Sequence, residues 1–107
     1  MKVCIASKDS GLDSQVDSAF GRCEYFLIID TETEKFKAIA NIAKEAERGA
    51  GVQAAQTVTD AGAEKVICGN IGPNSQAALE KAGIGIISGI SGTCRDILEK
   101  FKSGKLK

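Results

Sequence analysis

A chain of 107 residues with 14 basic and 14 acidic side chains, zero formal net charge and 43% hydrophobic residues has the balance of one soluble globular domain. That balance disfavours a general nucleic-acid binder, whose affinity rests on a basic excess, and no apolar run reads as a bilayer span or secretory signal, so a cytoplasmic protein is expected. Histidine is absent, which excludes imidazole general bases, Ser–His pairs and His-ligated zinc.

Residues 2–7, KVCIAS, read as a strand with Val3 and Ile5 on one face. Residues 8–23 are polar, contain glycine and end in FGRC, which marks a loop. The β-branched and aromatic run 24–30, EYFLIID, predicts a buried strand. TETEK is a turn into a third strand at 36–41, FKAIAN, and connections this short join antiparallel neighbours. The pattern then changes. Residues 51–62 have helix composition, with Gly62 as the stop. KVICG at 65–69 is a strand, and 73–83 is a helix with Pro73 at its first position and Gly83 just past its end. IGIIS at 84–88 is another strand. The last helix, 93–104, buries Ile97, Leu98 and Phe101, and Thr93 with Asp96 forms an approximate capping box. Lys100, Lys102, Lys105 and Lys107 lie at or beyond its C-terminal end, where the helix dipole favours cations. The order predicts a single α/β domain over 1–107: an antiparallel meander, then βαβ units, forming a five-stranded mixed sheet with three helices on its faces.

In such units ligands gather at the carboxyl ends of the strands, where helices begin. Three Gly-rich segments fall there: RGAG, GNIGPN and SGISGTC. Each sets backbone N–H groups beside a helix N-terminus, although each alone also serves as a plain turn. The only arginines, Arg22, Arg48 and Arg95, lie in or beside FGRC, RGAG and GTCR, where they are either anion forks or partners in surface ion pairs. Without a CxxC pair or a signal segment, the four cysteines read as free thiols. Cys23 follows Arg22, and Cys94 sits in the first helical turn, where the dipole favours thiolate and hence soft metal. Cys4 and Cys68, inside apolar strands, read as small buried side chains. Asp9, Asp13 and Asp17 do not fit an EF-hand and read as turn residues. No GxxxxGK[ST] is present, and GIGIIS falls inside a predicted strand rather than at a strand-to-helix turn.

FGRCEYFLIID, ERGAGVQAAQ, VICGNIGPNSQAAL and AGIGIISGISGTCRDIL followed by FKSGKLK together resemble the dinitrogenase iron–molybdenum cofactor biosynthesis family, over nearly the whole chain. The resemblance implies a three-layer, ribonuclease-H-like fold. It also implies non-catalytic binding or carriage of an iron- and/or molybdenum-containing sulfur cluster, or its precursor, passed between donor and acceptor proteins without nucleic acid or membrane. The positions matching the family's motifs are Phe20, Gly21, Arg22 and Cys23; Gly49, Ala50 and Gly51; Gly69, Gly72 and Pro73; and Ser91, Gly92 and Thr93. Cys23 and Cys94 are the candidate metal ligands. Many members carry His directly before GAG; Arg48 stands there in this chain, a residue that holds an anion by charge. The competing reading is a regulatory or interaction domain binding phosphate or a nucleotide at the same Gly-rich helix starts. A two-metal nuclease is disfavoured because KVCIAS offers Cys4 and Ala6 where an acid would be needed, and a cysteine enzyme because no His can act as its base.

Overall fold

Strand β1 (Lys2–Ser7) is buried from Val3 to Ser7, as a strand covered on both faces must be. In the computed structural model, which describes residues 1–106, it is the centre of the sheet; Lys107 lies outside the described residues. On one side β1 pairs antiparallel with β2 (Tyr25–Asp30), which pairs antiparallel with β3 (Phe36–Ala40). On the other it pairs parallel with β4 (Lys65–Ile67), which pairs parallel with β5 (Gly85–Ile87). The strand order is β3-β2-β1-β4-β5, a meander continued by crossovers, as the element order predicts.

Side-chain alternation divides the interior into two cores. Cys4, Ala6, Phe26, Ile28, Val66 and Cys68 face helices α1 (Ala50–Asp60) and α2 (Pro73–Lys81), meeting Ala54, Ala55, Val58 and Leu79. Val3, Ile5, Leu27, Ile29, Ile67 and Ile87 face α3 (Cys94–Lys102), meeting Cys94, Ile97 and Leu98, with Phe101 half-buried at the margin. The layers are therefore two helices, a sheet and one helix.

All eight predicted elements are present, most a residue or two shorter than expected. Gly62 and Gly83 follow α1 and α2 in the left-handed region, at φ 84° and 78°, so they act as stops just beyond the helices. Of the capping box only half forms: the Thr93 side chain accepts from the Asp96 N–H at 3.2 Å. The strand expected over 65–69 ends at Ile67 because Gly69 and Asn70 turn to bond the loop after β1 instead. The Gly69 N–H donates to Asp17 O and the Asn70 N–H to Ser18 O, while Phe20 N–H donates back to Asn70 O.

The loop after β1 is thus tied to the parallel half of the sheet by backbone pairing. Its Val16 N–H donates to Gly92 O, and Phe20, fully buried, packs on Phe26 with ring centroids 5.4 Å apart. Gly69 allows the crossing: a Cβ there would stand 2.8 Å from Asp17 O and 2.9 Å from Ser18 Cα. Backbone cannot retreat as a flexible side chain can, so Gly69→Ala is expected to destabilise by about 1–3 kcal/mol, read from the urea midpoint at unchanged m-value. An unchanged midpoint would show that the crossing relaxes freely.

Candidate functional site: a cleft at two uncapped helix starts

The loops after β1, β3, β4 and β5 all emerge at one end of the sheet, the carboxyl end of its parallel strands. An open cleft of about 620 Å³ lies there, walled by residues 19–22, 47–51 and 70–75. It gathers Phe20, Gly21, Arg22, Arg48, Gly49, Gly51 and Gly72 from the sequence-derived set, which three separate stretches of chain supply. Its charged residues are Arg22, Arg48 and Glu47, an excess of one positive charge. Gly69, Ser91 and Gly92 line a neighbouring concavity of about 400 Å³ that shares Asn70 with the cleft.

The N-termini of α1 and α2 both open onto the cleft, and neither has a side-chain cap or an acidic residue in its first turn. The first intrahelical bonds run from Gln53 N–H to Gly49 O and from Gln76 N–H to Gly72 O. The N–H groups of Ala50, Gly51 and Val52, and of Asn74 and Ser75, have no partner among the described residues. Helix α3 differs. Its first N–H groups are consumed: Cys94 donates to Ser14 O, Arg95 to Leu12 O and Asp96 to the Thr93 hydroxyl. The third Gly-rich segment is therefore not an open anion cradle, and Thr93 acts as a cap.

The arginines divide in the same way. Arg95 pairs with Asp13 at 2.8 Å, the surface ion pair that was one of its two readings. Arg22 donates from Nη1 to Lys44 O at 2.7 Å, and neither Arg22 nor Arg48 makes an ion pair among the described residues. Both are exposed at the cleft wall.

The thiols do not line the cleft. Cys23 and Cys94 are both fully buried, in the cores on opposite faces of the sheet, and each lies against Ser7 at the end of β1. Burial, reinforced by the Asp17 carboxylate, pushes the Cys23 thiol up to about 12. Burial also raises Cys94, which corrects the expectation that the helix dipole makes it a thiolate. The desolvation of a charge inside an apolar core outweighs a half-charge whose N–H groups already have acceptors. Cys4 and Cys68 are buried in strands or just beyond them, as expected. No group of three or more His, Cys, Asp or Glu able to hold a metal ion occurs among the described residues. The cleft's donors suit the outer oxygens or sulfurs of an anion.

Two residues that sequence reasoning passed over shape this wall. Asn41, 4% exposed, donates through Nδ2 to Gly21 O at 3.1 Å and Cys23 O at 3.0 Å, and accepts from Ala43 N–H at 3.2 Å. It fastens the loop carrying Arg22 to the loop carrying Arg48. An Asn closing a strand, where it favours a turn, was the available signal. Ser75, also buried, packs its hydroxyl on Gly51 and had no signal in the sequence.

Fold and cleft together define a small α/β domain with a donor-rich cradle where its parallel strands end. The family described as dinitrogenase iron-molybdenum cofactor matches residues 1–104, and the chain belongs to that family. Among solved structures it is similar to the apo orange protein of Desulfovibrio gigas, with TM-score 0.95, 30% identity, and coverage of 99% of this chain and 90% of that one. It is similar also to a Thermotoga protein described as a candidate NifB, with TM-score 0.86, 32% identity and coverage of 99% and 90%. An uncharacterized protein of Methanocaldococcus jannaschii is 28% identical over 98 residues, 89% of this chain and 83% of that protein. Family membership points to cofactor biosynthesis or carriage. No helix of the described residues is long and apolar enough to cross a membrane.

The buried thiols give stability a defined pH dependence. Unfolded thiols titrate near 9.0, whereas Cys23 titrates at about 12 and Cys68 at about 11 in the fold. Above pH 9 the unfolded chain releases protons that the folded chain keeps. Stability is therefore full below that value and falls as pH rises toward the folded values, by up to about 1.4 kcal/mol per pH unit for each thiol. Urea unfolding under reductant at about pH 8 and about pH 10.5 is expected to show the fall, with a shallower one in Cys23→Ala. Equal stabilities at the two pH values would contradict it.

Proposed function

We propose that this chain binds and carries, without turnover, an anionic iron- and/or molybdenum-containing sulfur cluster or its precursor, in metallocofactor biosynthesis. One observation carries the reading: two helix N-termini with unpartnered N–H groups, and two arginines without ion pairs, meet in one cleft of about 620 Å³. Helix dipoles and N–H groups favour anions at such a place, and guanidinium forks add directed donors. The cargo is held by hydrogen bonds and charge, with its outer sulfur or oxygen atoms as acceptors. Ligation by Cys23 or Cys94 would first require a buried thiol to be exposed and deprotonated. Non-catalytic carriage is supported by a chain with no histidine and with thiols raised away from nucleophilic thiolate. In this reading the fold is a ribonuclease-H-like one, which the order β3-β2-β1-β4-β5 and the helices on both faces support, and the chain works in the cytoplasm between donor and acceptor proteins.

The phosphate or nucleotide reading rests on the same donors, so the test must separate them. Anaerobic protein is titrated with tetrathiomolybdate and, separately, with ferrous iron and sulfide, then desalted. Metal per chain and the sulfur-to-metal charge-transfer bands are measured, with inorganic phosphate as competitor. Stoichiometric retention is expected. Arg22→Ala and Arg48→Ala should each weaken it about tenfold or more, as loss of a charged hydrogen bond does, whereas Cys94→Ser should leave it intact. No retention, or displacement by equimolar phosphate, would replace the cluster reading with the small-anion one.

A further inference from the structure

Strand β3 is the unpaired edge of the sheet beside β2, and Phe36, Lys37, Ala38 and Ala40 are all exposed. The ladder's bonds fix which of its groups are free. The Asp30 N–H donates to Lys35 O and the Asn41 N–H to Glu24 O, so the odd-numbered residues 35 to 41 turn their backbone toward β2. By the alternation of an antiparallel pair, Phe36, Ala38 and Ala40 turn their N–H and C=O groups outward. This edge is five residues long and free of proline, so each outward N–H and C=O is available to a further strand.

Its charge says which strand. Lys35 and Lys37 share one face of β3, and the register places Lys2 and Asp30 on that same face of the adjoining strands. These residues, with Ile28, Thr33 and Phe36, line a groove of about 390 Å³ at the end of the sheet away from the cleft. Lys2, Lys35 and Lys37 make no ion pair among the described residues. The one acid lining it, Asp30, accepts from the Glu32 and Thr33 N–H groups, which hold its carboxyl below the usual range and so keep it charged; three lysines against it leave an excess of two positive charges. Lysines on an edge repel a second copy of the same edge. They attract a strand of opposite sign. At the other end, Ile42, 93% exposed, presents an apolar side chain in the turn that follows the strand.

We infer that β3 is a docking edge for an extended, acidic segment of a partner protein. That segment adds antiparallel or parallel to the sheet, with its carboxylates beside Lys37 of β3 and Lys35 just before it. The inference stands on β3 alone and does not depend on what the cleft carries.

The test uses the full chain and a synthetic peptide of alternating Glu and Val, with three controls: its Lys–Val counterpart, a copy N-methylated at alternate residues on the pairing edge, and Lys35→Glu/Lys37→Glu protein. Amide hydrogen exchange and amide chemical shifts are read at Phe36, Ala38 and Ala40. Saturable protection of those three amides by the Glu–Val peptide is expected. Affinity should fall about tenfold or more in the double variant, and with added salt. The Lys–Val and N-methylated peptides should give no protection. Equal binding of the N-methylated peptide, equal affinity in the double variant, or no protection of the three amides at millimolar peptide would overturn the proposal. So would protection that grows with protein concentration alone, which would make a second copy the occupant.

Discussion

A Cβ at position 51 would lie 2.5 Å from Ser75 Oγ, and one at position 21 would lie 3.2 Å from the Gly51 Cα. Three backbone segments, from the loop before β2 and the first turns of α1 and α2, therefore converge at positions where a side chain on residue 21 or 51 would crowd its neighbours. Glycine inside a helical turn sacrifices about 1 kcal/mol relative to alanine. The return is geometric, since both helix N-termini are brought to one small volume. Gly49, at φ 75°, starts α1 from a conformation that L side chains rarely adopt, which fixes the approach of the chain into that turn. The positive ends of two dipoles and two guanidiniums then sit together with only Glu47 to offset them. Like charges so gathered repel one another, and an anion between them would relieve that repulsion.

The contrast with α3 gives this arrangement its meaning. All three helices begin after a Gly-rich segment, at the same end of the sheet. At α3 the loop after β1 folds over the first turn and takes up its N–H groups with Leu12 and Ser14 carbonyls, and Thr93 supplies the cap. The same chain thus knows how to close a helix start and leaves two of them open. The open pair faces the two arginines without ion pairs, whereas the closed one carries the arginine that Asp13 holds.

Much of this was legible in the sequence because it depends on local signals. Composition, hydrophobic period and turn residues marked the strands and helices, Gly62 and Gly83 marked helix ends, and the Gly-rich segments together with the family resemblance named most of the stretches that wall the cleft. What stayed hidden depends on contacts between distant residues. Cys23 and Cys94 both lie beside glycine-rich turns, and sequence proximity to such turns says nothing about which face of the sheet a side chain enters. Cys23 goes to the core shared with Phe20 and Phe26, and Cys94 to the core shared with Ile97 and Leu98. The closing of α3 was hidden for the same reason, because its acceptors come from about 80 positions earlier in the chain, as the Arg95 to Asp13 pairing shows. Asn41 was overlooked as the last letter of a strand, although its amide is the hydrogen-bonding hub of the arginine-bearing wall.

Asn41 also joins the two surfaces of the molecule. Its own N–H closes the β2–β3 ladder on Glu24 O, while its side chain holds Gly21 and Cys23, and the Arg22 guanidinium returns to Lys44 in the same turn. A Lys44–Glu24 ion pair ties these two loops once more. The wall of the cleft is thus built on the final rung of the edge strand. A strand added along β3 would stiffen that rung, and an anion drawing Arg22 into the cleft would pull on the Lys44 carbonyl that Arg22 now holds. Residues 41–44 therefore belong both to the end of the exposed edge and to the support of the cleft wall, and Asn41 bonds to both sides through its backbone and its buried amide.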